Sequence, residues 1–410
     1  MIIKNARIEN AKTTTDFRIK DGRIIEMAPT LSAGADQVID LKGKLVIPPL
    51  VDSHVHLDST LTAGQPEWNE TGTLFDGIRI WSERKKSLNR DDVKTRATET
   101  LKKMASHGIQ YVRSHVDVTD PSLTALRALI EVREEVAPFI DLQLIVFPQE
   151  GILSFPNGKE LMEKAVALGV DGIGGIPHYE FNQQYGNDSL AYLVDLAEKN
   201  NLLVDVHCDE IDDPNSRHLE VLATLALESG LKDKVTASHT VSLGSVNDAY
   251  AYKLMRLLRL SEINMVANPL VNLHLGGRFD TYPKRRGLTR VKELLENHIN
   301  VSFGEDDVKD PWYPMGDGNL LDSLYVGILA SGLMGYQQIL SSYQLIGING
   351  AKTLHRAEGY GLAVGKEASF LVYDAENFYD VLNERRTMLY SFRKGRCLVE
   401  KQPMVQRINY

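Results

Sequence analysis

The chain has 410 residues, 43% hydrophobic and 25% charged, an ordinary balance for a folded protein and long enough for one large α/β barrel with an attached module. Its formal net charge of -9 argues against a polyanion such as DNA or RNA as partner, yet leaves a neutral heterocycle acceptable as substrate. Two cysteines, Cys208 and Cys397, allow at most one disulfide; the charged start is no signal peptide and no run of about 18 apolar residues spans a membrane, so a cytoplasmic protein is expected.

The first stretch, Ile2 to Ile47, reads as short β patterns: IIKNARIEN, FRIKDGRIIEM with its Asp21-Gly22 hairpin signal, and QVIDLKGKLVI. The C-terminal stretch returns to that style in ASFLVYDAE, MLYSFRKGR and CLVEKQP. One small β-sandwich module built from both termini (1–48 and 356–410) is therefore expected around a central domain at 49–355, the alternative being two independent β appendages. Between them, apolar strands alternate with amphipathic segments such as DDVKTRATETLKKMASHG and GKELMEKAVALG. The strand candidates are LVDSHVHLD, IQYVRSHVDV, LQLIVFPQEG, VDGIGGIPH, LLVDVHCDE, KVTASHT, INMVANPLVN and INVSFGEDD. Eight in a parallel series predict a closed (β/α)8 TIM barrel, with an open doubly wound sheet as the fallback.

Most of these strands end in an ionisable residue, where barrel active sites are assembled. The first ends in His54-Val55-His56, whose two imidazoles share one face. The fifth ends in His207, the sixth in His239 and the eighth in Asp306. A lone His is usually structural and an H-x-H alone is a weak signal, but four coincidences of position point to one catalytic metal. Nitrogen donors with one carboxylate suit Zn(II) or Fe(II).

That pattern resembles the amidohydrolase superfamily, whose barrels carry H-x-H after the first strand, His after the fifth and sixth, and Asp after the eighth. Gly304-Glu305-Asp306 is similar to the family's last motif, so the resemblance assigns the metal carboxylate to Asp306, not to Glu305 or Asp307. Two-metal members carry a bridging Lys or Glu after the third or fourth strand; no lysine stands there, so a single ion per subunit is implied, with Glu150 the one residue against it. Longer blocks, among them HVHLDSTLTAGQPEWNETGTLFDGI, DVHCDEIDDPNSR and DDVKDPWYPMGDGN, look like the bacterial cytosine deaminase family.

The resemblance implies hydrolysis of free cytosine to uracil and ammonia in pyrimidine salvage, by a homo-oligomer. Its metal ligands would be His54, His56, His207 and Asp306, with His239 as a further ligand or as the group polarising water. Glu210 would carry protons to ring N3 and the leaving amine, and Asp306 would take the proton of the attacking water. Gln149 would pair with the O2 edge, Trp312 would wall the ring, and Asp307 would stand beside C5 and disfavour 5-methylcytosine. Asp209 is expected to point away, and Asp212 and Asp213 to serve a loop or helix cap. His115 is expected to support the ligands from behind, and Lys284-Arg285-Arg286 to be a solvated loop. His107, His178, His218, His274, His298 and His355 are read as structural. Glu305 departs from the family's usual His at that position. The competing readings are a deaminase of 5-methylcytosine, isoguanine or a triazine, and a barrel that has lost catalysis. The small zinc deaminases, which use P-C-x-x-C, are excluded because no C-x-x-C occurs.

Overall fold

The computed structural model describes residues 1–405 and 407–409. Five short strands come first: β1 (Ile2–Ile8), β2 (Thr15–Lys20), β3 (Arg23–Ala28), β4 (Val38–Asp40) and β5 (Leu45–Ile47). The central series follows as β6 (Leu50–Val55), β7 (Ile109–Asp117), β8 (Asp141–Phe147) and β9 (Gly172–Ile173), then β10 (Leu203–Cys208), β11 (Val235–His239), β12 (Asn264–Ala267) and β13 (Val301–Phe303). The chain closes with β14 (Phe370–Tyr373), β15 (Met388–Arg393) and β16 (Arg396–Glu400).

β6 to β13 pair in sequence order and in parallel, each next to its successor. The ring is closed by a parallel bridge between Val55 and Asp306, in which Asp306 N donates to His54 O and His56 N donates to Asp306 O, both at 2.8 Å. That junction rules out the open sheet and makes a (β/α)8 barrel. On β7, Val112 and Val116 face outward into the apolar layer under the helices, while Arg113, His115 and Asp117 alternate inward. The barrel interior is consequently polar. Fully buried Arg113 donates to Asp205 Oδ2 at 2.8 Å, to Gln143 Oε1 at 3.2 Å and to Thr353 O at 2.7 Å, so its charge is paired and its donors are used.

The termini share one further sheet, ordered β16-β15-β14-β5-β1-β2-β3 with β4 also on β1. β5 joins the two ends of the chain by pairing antiparallel with β14 (Val46 opposite Val372). This sheet folds over a separate core in which Phe17 meets Phe370 edge-on at 5.3 Å and Phe370 stacks on Phe392 at 4.6 Å. The two ends of the chain therefore form the single module expected, and the alternative of independent appendages falls away. A helix at Phe378–Asn383, capped by the Asn377 side chain accepting from Asp380 N, separates β14 from β15 in a stretch the sequence reading left unassigned. Gln110 on the barrel donates to Phe392 O at 2.8 Å, which ties the module to the bottom of β7. No helix among the described residues is long and apolar enough to cross a membrane.

Candidate active site

Barrel closure assembles the site. The backbone bonds that bind Asp306 to His54 and His56 bring three ionisable side chains from the first and last strands to one point. His207, at the end of β10, reaches the same point: its Nε2 lies 3.2 Å from His54 Nε2 and 2.9 Å from His56 Nε2. Asp306 Oδ1 stands 3.4 Å from His54 Nε2 and 3.6 Å from His56 Nε2. Donors about 2.1 Å from one tetrahedral ion are about 3.4 Å apart. The edges between these four donors bracket that spacing, so the residues fit a small divalent cation. Burial, reinforced by neighbouring imidazoles, holds His54, His56 and His207 well below the ordinary histidine pKa, in the neutral form a metal requires. His239 also lies within reach of His54, His207 and Asp306.

Two of these residues sit on unusual backbone. His239 and Asp306 both have φ of +68°, a left-handed conformation that costs a non-glycine side chain of order 1–3 kcal/mol. Such strain persists only where surrounding contacts impose it, and the bonds across the closure impose it on Asp306. His239 Nδ1 is 3.1 Å from Glu210 Oε1 and 3.7 Å from Asp306 Oδ2, and the Asn272 amide stands 3.0 Å from the same nitrogen. Burial pushes the His239 imidazole down, but the Glu210 and Asp306 carboxylates outweigh it and raise its pKa. Burial drives the Asp306 carboxyl well above the usual carboxylate range, with His239 opposing and Glu210 adding to the shift.

A cleft of about 250 Å³ lies beside the donors, lined by His56, His207, Glu210, His239, Asp306, Asp307, Gln149 and Trp312, with Leu74 and Leu275. All eight residues expected to react or bind around the metal and substrate, other than the deeper His54, therefore meet one cavity. Gln149 is held by its backbone N–H on Asp117 Oδ1 at 3.3 Å, leaving the carboxamide free to face the cavity. Trp312 fits because Gly77, on the helix Leu74–Arg84, has no side chain: a Cβ there would come within 2.4 Å of the indole. Burial, then Asp310 and Asp306, raise the Asp307 carboxyl well above its ordinary range, and Asp307 shares a hydrogen bond with Asp310.

Other expectations sort by geometry. Glu150 turns to an ion pair with Lys85 and stays out of the donor cluster. Asp209 points away, capping the helix His218–Ser229 by accepting from Leu219 N at 2.8 Å and His218 N at 3.2 Å. Asp212 accepts from Gly277 N at 2.8 Å and Asp213 from Asn215 N at 2.8 Å, both loop contacts. Arg285 forks onto Asp280. Glu305 lies beyond the cavity, buried against the loop at Gly316, with burial and then Asp52 raising its carboxyl well above the ordinary range. His115 stacks on His54 at 3.9 Å.

Sequence reasoning missed a relay behind His54. Its Nδ1 is 3.0 Å from Ser238 Oγ, which donates to Asp205 Oδ1 at 2.6 Å, while Arg113 holds the other Asp205 oxygen. The signal was present: Asp205 precedes His207 by two positions, so strand alternation turns both inward.

The fold and site define a class. A family model described as "Amidohydrolase family" matches residues 37–398, and the chain belongs to that family. Within it, the chain is similar to the crystal structure of 5-methylcytosine deaminase from Klebsiella pneumoniae liganded with 5-fluorocytosine, at 47% identity and a TM-score of 0.97, covering 100% of this chain and 99% of that one. It is 26% identical to N-isopropylammelide isopropyl amidohydrolase of Pseudomonas sp. (strain ADP), over 99% of this chain and 98% of that protein. Pterin deaminase of Rhizobium rhizogenes is 27% identical over 95% of this chain and 88% of its own.

Proposed function

We propose that this chain hydrolyses the exocyclic amine of a free cytosine-type base, taking cytosine to uracil and ammonia. The observation that carries the reading is the single cavity in which His56, His207 and Asp306 meet the Glu210–His239 pair, Gln149 and Trp312, with His54 behind them against His207. His54, His56, His207 and Asp306 would hold a divalent cation, Fe(II) or Zn(II), which would lower the pKa of the nucleophilic water towards neutrality.

The protein's own groups do the rest. Asp306 Oδ2 has no hydrogen-bond partner in the protein and faces the cavity, so it accepts the proton of the attacking water. Glu210 delivers protons to ring N3 and then to the departing nitrogen, because an amide ion is too poor a leaving group to depart unassisted. His239, whose pKa the Glu210 and Asp306 carboxylates raise, stabilises negative charge developing on the oxygen at C4. That role suits its raised pKa better than ligation does. Gln149 offers donor and acceptor to the O2 edge, and Trp312 packs on the ring. The family likeness supports a homo-oligomer serving cytoplasmic base salvage.

Asp307 stands in the cavity wall, and a buried carboxyl beside C5 crowds a methyl group. Cytosine is accordingly the expected better substrate. The 47% identity with a 5-methylcytosine deaminase favours a second reading, in which the methylated base is taken and thymine is the product. Ammonia release from cytosine, 5-methylcytosine and isoguanine, measured side by side, separates them. Preference for cytosine supports the role given to Asp307, preference for 5-methylcytosine reverses it, and release from none of the three contradicts the deaminase reading.

A further inference from the structure

A second space, about 430 Å³, adjoins the catalytic cavity. The two share Leu74, Glu210 and Leu275 and no other side chain. Beyond that junction Phe75, Ile211, Val241 and Phe279 give the walls an apolar side, with Thr73, Asp212 and Asn272 set among them. Gln149, Asp307 and Trp312 line only the catalytic cavity, so the edges of the base assigned to them are walled in. In the pose proposed above, the edge that carries ring N3 and the exocyclic nitrogen faces Glu210, and hence this second space. An escaping ammonia has no need of the apolar side chains of this space, since the Glu210 and Asp212 carboxylates in its walls would serve an ammonium ion. An alkyl group on the nitrogen fits them.

We propose that this chamber accepts the substituent of N4-alkylated cytosines and that the chain hydrolyses them to uracil and a primary alkylamine. The inference rests on the deaminase reading above. The balance needs only water: its oxygen bonds to C4 as the C4–N bond breaks, one proton ends on ring N3 and the other on the departing nitrogen. Glu210, at the junction of both spaces, is placed to serve that nitrogen whether it carries hydrogen or carbon. Each methylene entering the chamber leaves water for an apolar surface, which corresponds to about a fourfold fall in KM per carbon while the chamber has room.

The test compares cytosine, N4-methylcytosine and N4-ethylcytosine on the metal-loaded protein, with uracil and the liberated amine both quantified. The expected result is stoichiometric methylamine or ethylamine with uracil, at kcat/KM within about tenfold of cytosine. Ile211→Trp, which fills the chamber, should cut turnover of the N4-ethyl base about tenfold or more and leave cytosine within about threefold. Phe279→Ala, at an exposed position that does not burden folding, should flatten the KM gain per carbon while sparing cytosine. Cytosine turnover without any alkylamine release overturns this inference and leaves the deaminase reading standing. Equal losses on both bases in both variants also overturn it. Inertness of all three bases removes the deaminase reading and this inference with it.

Discussion

Glu210 illustrates what single side chains contribute and how they can be tested. It is buried, touches His239 and opens on two spaces. Glu210→Gln keeps the shape and removes the transferable proton, so kcat for cytosine should fall about 10²- to 10⁴-fold with KM little changed. Loss of metal in that variant would show a structural role instead. Ser238 acts one step further back, fixing the His54 ring so that Nε2 faces the cluster while Nδ1 meets the hydroxyl. Ser238→Ala should weaken metal affinity about 10- to 100-fold, read by chelator competition, with a folded far-UV spectrum. Unchanged affinity would contradict the relay. The histidines were legible in the sequence because H-x-H and strand-end positions are local patterns. Asp205 could have been found from its spacing to His207, but Ser238 and Arg113 could not, because small polar and charged residues at strand positions also occur on solvated faces, and only the closed barrel brings all three together. Glu305 shows the converse: it stands beside Asp306 where the family usually has His, yet it is buried outside the cavity lining, near Asp52.

Strands and junctions carry the next level. Gly304 lies where β13 runs into the closure, and a Cβ there would stand 2.6 Å from Asn268 Oδ1 and 2.7 Å from His54 O. Gly304→Ala must push the last strand from the first, so both stability and bound metal should drop together; retention of full metal content would show that closure does not set the ligand geometry. In the terminal module, Phe17 fills the core against Phe370, and Phe17→Ala should cost about 3–5 kcal/mol by chemical denaturation. A loss near zero would mean the module does not contribute to the cooperative fold. The order of all eight barrel strands was legible from apolar runs ending in polar residues. β9 is the least regular, only Gly172–Ile173, and its glycine-rich run could be placed by its neighbours rather than by its own pattern. The helix Phe378–Asn383 escaped notice because six residues give too short a period to distinguish it from a strand.

At the scale of the whole molecule, buried neutral histidines make the metal-free fold sensitive to acid. Burial, with His218 and His239 adding to it and a backbone hydrogen bond at His207 opposing, lowers His178 from its ordinary value to about 3. Below pH 6.5 the unfolded chain takes up a proton that the folded chain refuses, so stability falls from there until the folded group also titrates near pH 3. His178 alone accounts for about 2 kcal/mol of loss by pH 5. His178→Asn should flatten part of that slope in urea unfolding measured from pH 7 to 5; an identical slope would contradict the shift. Metal is expected to oppose the trend at neutral pH, since it binds the neutral imidazoles of the folded state.

The most direct measurement is a titration of chelator-stripped protein with Fe(II) and with Zn(II), following uracil formation from cytosine at each addition. Activity should be absent without metal and rise linearly to a plateau at one equivalent per chain. Full turnover by metal-free protein, a requirement for two equivalents, or no uracil at any loading would contradict a single-metal cytosine deaminase.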